Sequence, residues 1–596
     1  MYKSNRYITL LIITALSPSY IQTSCTQQCD TTCSQSKNLF LPRAFSSYSS
    51  RTLIQEKSVL QVESDRSEWN GTLSVDVEYM SNFGQKCGTC KNIGALPFWS
   101  GTNTLTIGTN DGKAQLDAYQ LGMGNIAVDS NGIGGIIELN PSIQQVGADV
   151  LLYFTQYKNQ RGYYFKIDAP LGAMMITPRL TELVKAKKNN NLTTSQVTND
   201  PNSSTIEYAF DTYPAPLNRP ETVTQAFTGD LPIEMLIGYH PVDISLLKGR
   251  ISSCCKQTTI RLSDLSATVG YNVYATDNSI VGIGLKATCP TGNVPTANYM
   301  LEPIFGRAGA WGIGGEIMAH HKVWQDNKQS RYVDLWLQAE LLHLIPGRTP
   351  NWRSFDLKAN GPGSKYLLIQ HYSTQYAIDG SFNNIQDITA GSLQPAINLT
   401  TLPVISKIAA EGSVALMADF HYNDWNFGLG AEFWGRTHEC LAINDCSPEV
   451  VMTTSRINQY AVLGRQLSAY QINGIQNALQ TFYCEPAAKI NQSQDPATLI
   501  GSVATTLTAP TSLPAGIKDA RISTNRIPSD LNEALDIDGA AAAKAYTGKI
   551  FSQIGYTFKE HRCTPTISIV GGAEYTNNTN NAVQMWSIAI QGALNF

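Results

Sequence analysis

Segments of about ten residues that alternate between an apolar side and a small or polar side recur along this chain, and they constrain its fold more than any other feature. The last residues, AVQMWSIAIQGALNF, show the pattern well. Trp586, Ile588, Ile590, Leu594 and Phe596 share one parity, while Ser587, Ala589, Gln591, Ala593 and Asn595 take the other. Successive strand side chains point to opposite faces, so each such segment presents one greasy and one polar face. SVALMADFHY and WNFGLGAEFW, separated by Asn423-Asp424, read as two arms of a tight hairpin. The same alternation marks segments around residues 73–79, 163–168, 311–320, 333–340, 550–558 and 567–575. Alternation alone suits either a sandwich of secreted all-β domains or a barrel.

The rest of the sequence narrows the choice. Past the N-terminus there is no run of 18 apolar residues, so no helical membrane span is expected. Residues 1–24 read as a signal peptide: Lys3 and Arg6, then ITLLIITAL, then a polar stretch. Cys25 raises lipidation, but Gln22 stands where an apolar residue is wanted. Charged residues are 15% of 596, against roughly 25% in soluble domains. That suits a surface of which much never meets water. The net charge of −4 leaves no footprint for nucleic acid. Strands of about ten residues match a tilted crossing of the hydrocarbon layer. Aromatic residues close the apolar faces at Tyr79, Trp311, Trp425, Phe433, Tyr556, Phe558, Tyr575, Trp586 and Phe596, as two interfacial girdles would require.

With a signal peptide, dyad strands and a final strand ending in Phe596, the chain resembles the Gram-negative outer-membrane β-barrel class, in its porin-like or channel branch. No particular family within the class is identified. The resemblance implies an all-β fold: a transmembrane antiparallel β-barrel of about 14–16 strands, within a range of 12–18. It further implies outer-membrane localisation, outer-membrane lipid as surroundings, and the barrel assembly machinery as a partner reading the strand that ends in Phe596. A homo-oligomer is compatible with it.

Within that frame, residues 25–70 read as a short N-terminal periplasmic extension or small plug, with a short helix over Thr52–Val62. Residues 71–435 supply the first part of the barrel and 549–596 its C-terminal strands. Residues 436–548 are a long loop insertion, with helices expected over Ser455–Phe482 and Leu531–Tyr546. The twelve cysteines fit an oxidising compartment. Cys440 and Cys446 bracket a short loop and form the expected disulfide, while Cys87 and Cys90 lack the βαβ context of a redox pair.

Candidate lumen residues are Asp76, Glu78, Lys166, Asp168, Glu316, His320, Asp419, His421, Glu432 and Glu574. They lie on polar faces, as a wet barrel interior demands. Glu316 with His320, and Asp419 with His421, share faces and could act as pairs. No GxSxG, Walker A or HExxH occurs, so no enzyme, cofactor or metal site is expected. Three functions remain: a channel for passive or facilitated diffusion of small solutes, with a mild cation preference from its carboxylates; a surface adhesin or structural barrel using the long insertion; and a plugged, energised transporter. Room before the first strand is short for a large plug.

Overall fold

A sheet in lipid has no water to satisfy an open edge, so alternating strands that enter a membrane must close on themselves. The computed structural model describes residues 41–60, 69–83, 104–108, 114–188, 215–371, 393–462, 469–470, 479–480 and 527–596, apart from short gaps within these ranges. Its main sheet closes as a twelve-stranded antiparallel barrel. The strands are β1 Asn70–Asn82, β2 Ser142–Lys158, β3 Arg161–Thr177, β4 Leu265–Ala275, β5 Ser279–Cys289, β6 Trp311–Gln325, β7 Arg331–Ile345, β8 Thr401–Tyr422, β9 Trp425–Arg436, β10 Ala545–Thr557, β11 Thr566–Tyr575 and β12 Met585–Asn595. Each pairs with its neighbours in sequence, and β12 returns to β1 from Thr72 opposite Asn595 to Asn82 opposite Met585.

Alternate connections are short. Asn423 and Asp424 join β8 to β9, and Asn423 takes the left-handed conformation that such a tight turn needs. These connections share one end of the barrel, the turn end, with Asn70 and Phe596. The long connections all lie at the opposite, loop end. In membrane barrels the short turns face the periplasm and the long loops face outward.

The outer surface is apolar. Val77, Leu285, Ile313, Leu341, Leu429 and Ile590 are exposed, Leu285 by 78%. A contiguous apolar band of this extent belongs in lipid, since water-soluble surfaces rarely carry one. In β12, Trp586, Ile588, Ile590 and Leu594 face out, whereas Ser587, Ala589, Gln591 and Ala593 are buried facing in.

Among the described residues the wall has twelve strands, fewer than 14–16 but within the expected range of 12–18. The difference has a physical reason. β8 runs for 22 residues and β2 and β3 for 17 each, beyond the 9–11 or so needed to cross lipid. Their upper parts rise past the wall and recruit extra short strands. Gln257–Leu262 pairs with β3, and Asn351–Ser354 and Glu439–Ile443 pair with β8. The chain length thus goes into strands that rise above the wall rather than into further wall strands.

The loops fold together over the loop end. One small sheet joins Thr104–Gly108, Leu116–Asp117, Ile133–Leu139 and Leu180–Val184; another joins Leu368–His371, Leu393–Pro395 and Tyr460–Val462. Leu105, Ile137, Phe227, Phe355, Ile397 and Leu531 belong to their shared apolar core. That core is dry enough for burial to push the Asp356 carboxyl up and the Lys365 ammonium down.

Two expected helices are corrected. Ser455–Phe482 is not one helix: a helix spans Pro448–Arg456, begun by the Ser447 side chain and Pro448 and followed by strand at Tyr460–Val462. Ala469–Tyr470 and Leu479–Gln480 pair as short strands. Leu531–Tyr546 is two single turns, Leu531–Ala534 and Ile537–Ala540, because Leu535 is extended and Asp536 caps a new start. The run then enters β10 at Ala545. The expected Cys440–Cys446 bridge is also absent: the two cysteines are not within disulfide distance of each other. Cys440 is held in a strand opposite Lys407, and Cys446 lies exposed past its end. The signal peptide, Cys25, Cys87 and Cys90 lie outside the described residues.

Inside, packing is close where aromatics cross the lumen. The Tyr164 ring lies over Gly270, so that a Cβ there would overlap it. Gly270→Leu is therefore expected to lower the yield of the heat-modifiable folded barrel severalfold on a gel, while Val269→Leu on the exposed outer face leaves it unchanged.

Candidate functional site: an occluded lumen

The ten lumen candidates are all buried and carried on inward-facing positions of the wall. What fills the space between them is the chain's own N-terminal segment. Residues 41–47 lie near the loop end, where Leu41 packs with Leu342, Leu344 and Ile408. Helix α1, Ser49–Leu60, then descends the lumen. Its Lys57 reaches Asp419 and Asn426, close to the β8–β9 turn. Leu53 and Ile54 share an apolar cluster with Trp336, Met417 and Phe551 of the wall.

The sequence of α1, SSRTLIQEKSVL, has too few apolar residues for an ordinary core helix. Ser49, Ser50, Arg51, Gln55, Glu56 and Lys57 are nonetheless buried. Burying charge is costly unless it is paired and hydrogen-bonded, and the wall supplies the partners. Arg43 donates from Nη1 to Glu574 Oε1 at 3.0 Å and from Nη2 to Glu432, with its guanidinium 3.8 Å from the Tyr48 ring centre. The Tyr48 hydroxyl donates to Glu574 Oε2 at 3.0 Å, and the Ser49 backbone N–H to Glu432 at 2.9 Å. Arg51 Nε donates to Glu78 Oε2 at 3.0 Å, with Asp76 at 3.6 Å and Asp149 at 3.7 Å. Lys57 Nζ lies 2.6 Å from Asp419 Oδ2 and donates to Asn426 at 2.8 Å. In the opposite sense, Glu56 of the helix meets Lys166 of the wall, and Lys166 also pairs with Glu316.

Above the helix, Arg307 from the β5–β6 loop donates to Glu411 at 2.9 Å and to Ser46 Oγ at 2.9 Å. The loop end is thus clamped to residues just before α1. Alongside it, Lys286 holds Glu340 at 2.6 Å.

The two expected carboxylate–histidine pairs divide. Asp419 and His421 do meet, with 2.5 Å between Oδ2 and Nε2. Glu316 turns instead to Lys166, and Tyr164 donates to it at 3.0 Å. His320 is left facing Asp334 at 3.3 Å, with its ring 4.1 Å from that of Trp336. Asp168 lies within 3.4 Å of the Ser266 hydroxyl that donates to it.

The aromatic candidates sort into two levels. Tyr79, Trp311, Phe433, Tyr575 and Trp586 lie near the loop ends of their strands; Trp425, Tyr556, Phe558 and Phe596 lie near the turn end. Tyr79 meets Trp586 edge-on at 5.5 Å in one level, and Trp425 meets Tyr556 at 5.1 Å in the other. The chain is a closed, antiparallel transmembrane β-barrel.

It matches no protein-family model and no curated protein sequence. Among solved structures it is similar to an outer-membrane channel from Pseudomonas putida F1 of the group COG4313, at 7% identity and a TM-score of 0.33, over 90% of this chain and 100% of that one. A FadL homologue from Pseudomonas aeruginosa follows at 8% identity and TM-score 0.24, over 89% and 90%. The TodX monoaromatic hydrocarbon channel, as a deltaS2S3 mutant, follows at 9% and 0.26, over 88% and 89%. Likeness this distant leaves solute and mechanism to be argued from this barrel's own residues.

Sequence reasoning did not single out Asp149, Lys286, Glu340, Glu411 and Lys549 as lumen residues, although each sits at an inward parity of its strand. Parity could have found them. It could not have found Arg43, Arg51 and Lys57, whose partners lie far off in sequence.

Proposed function

We propose that the barrel is an outer-membrane channel for small polar solutes, held closed in this conformation by residues 41–60. The observation that carries this reading is the lumen filling. A segment anchored to the wall mainly through hydrogen-bonded ion pairs fits a removable stopper better than a permanent core, because the wall's polar groups can be rehydrated when it leaves. The wall carries more carboxylates than cations among the described residues, so the opened path favours cations over anions.

The test is single-channel recording in planar bilayers. Wild type is expected to open rarely. Arg51→Ala strips the cation from Asp76, Glu78 and Asp149, and loss of one partner of a buried pair is worth about 3 kcal/mol. The open fraction should therefore rise roughly a hundredfold, at about 1.4 kcal/mol per tenfold. A folded Arg51→Ala barrel that stays as silent as wild type would remove the channel reading. Reversal potentials in a salt gradient should show cation preference.

A further inference from the structure

We propose that the two carboxylate cradles now holding Arg43 and Arg51 are binding stations for guanidinium-bearing solutes, and that residues 41–60 close the lumen by occupying them as an internal mimic. The inference rests on the channel reading and adds to it the chemical class of the solute. Three features of the wall carry it.

First, both occupants are arginines. A guanidinium is a planar fork that suits carboxylate pairs better than a compact ammonium does. Arg43 spreads its two terminal nitrogens over Glu574 and Glu432, on neighbouring parts of β11 and β9. Arg51 presents Nε and Nη2 to Glu78 while Asp76 and Asp149 flank it. Second, the upper cradle includes an aromatic face from the wall. Trp434 is fully buried, and its ring centre lies 5.4 Å from the Arg43 guanidinium carbon. A flat cation gains from that face where a hydrated sodium ion would not. Third, each cradle keeps an unused acceptor. Glu432 Oε2 and Asp76 Oδ1 are buried and accept no hydrogen bond while the internal segment is in place. An incoming guanidinium has five N–H donors to offer them.

The two stations lie along the path taken by the internal segment, with the upper one toward the loop end. Lys549 stands between them, 3.5 Å from Glu78 Oε1. Once residues 41–60 withdraw, Lys549 offsets one carboxylate, and the others face the lumen unpaired. Solute entering from the loop end meets Glu432, Glu574 and Trp434 first, then Glu78, Asp76 and Asp149. Two separate stations of moderate strength permit onward movement, whereas a single deep site would trap the solute.

The experiment is liposome swelling with the full-length Arg51→Ala barrel, comparing isosmotic arginine, lysine, glutamate and glycine. Arginine is expected to enter at least tenfold faster than glutamate and severalfold faster than lysine. Adding Glu432→Gln should bring the arginine rate, taken relative to glycine through the same barrel, toward that of lysine. If glycine enters but arginine is no faster than lysine, the guanidinium inference is overturned and the channel reading stands. If glycine also fails to enter through a folded barrel, the channel reading falls and the inference with it.

A second measurement avoids destabilising the cradle. Ser50→Cys places a thiol at a buried position beside Arg51. In the otherwise wild-type chain, arginine should speed iodoacetamide labelling at position 50 severalfold over sodium chloride of equal ionic strength, read by peptide mass. Equal rates would overturn displacement of the internal segment by guanidinium.

Discussion

Lys166→Met is expected to lower barrel stability by about 3–5 kcal/mol, as seen when one partner of a buried ion pair is removed. Lys166 is 2% exposed and stands between Glu56 of α1 and Glu316 of β6. Without it, two carboxylates confront one another in a space closed to water. Relief then requires α1 to move away or water to enter. The measurement is the urea midpoint of the detergent-solubilised barrel, followed by tryptophan fluorescence. Glu56→Gln in the Lys166→Met background removes one of the two carboxylates and should recover more than half the loss. A midpoint unchanged by Lys166→Met would mean that this ion-pair network does not hold the helix.

Removing Phe596 is the second large effect. The terminal residue closes the sheet: its N–H donates to the Gly71 carbonyl at 2.8 Å, and the Gly71 N–H donates to the Phe596 carbonyl at 2.7 Å. Its ring covers Gly71 and lies 6.2 Å from that of Phe154. Two backbone hydrogen bonds at about 1 kcal/mol each, plus the ring contact, put the loss at about 3 kcal/mol. At the seam of a barrel that loss falls on the strand pair closing the wall. Deletion should therefore reduce the heat-modifiable species in refolding by roughly tenfold or more. Phe596→Ala keeps both backbone bonds and should refold in detergent at near wild-type yield. If Phe596→Ala nonetheless assembles poorly in cells, the ring serves recognition by the assembly machinery. Equal behaviour in cells and in detergent would reject that role.

The wall was largely readable because strand parity is a local property. Trp586 and Ile588 face lipid, and Ser587 and Gln591 face the lumen, for reasons contained within a few residues of each. The strand number was not local. Nothing within Thr401–Tyr422 says that its first residues rise past the wall, pairing with Asn351–Ser354 and Glu439–Ile443, rather than making a separate crossing. The helix over Pro448–Arg456 starts upstream of the expected Ser455–Phe482 because its capping signal, Ser447-Pro448, precedes the leucine-rich stretch. The occupied lumen was the least readable part. Arg43 and Glu574 are 531 residues apart, and no periodicity links them. The polar, short-helix character of 49–60 fits a surface segment equally well. Only closure of the barrel around it makes burial of those charges affordable.

The direction in which α1 runs has a kinetic consequence. The lower end of α1 and the start of β1 at Asn70 both lie at the turn end, with nine residues between them in sequence. In the proposed channel the stopper would therefore never become a free ligand. On so short a tether, its effective concentration at the lumen mouth is on the order of millimolar, however dilute the protein. Reclosure is a unimolecular event, so open-time distributions should be independent of how many barrels share a membrane. Under that proposal a solute would hold the pore open only by outcompeting that fixed local concentration. Transport would then begin at a threshold of external solute, set by a stretch of nine residues rather than by any gate in the wall.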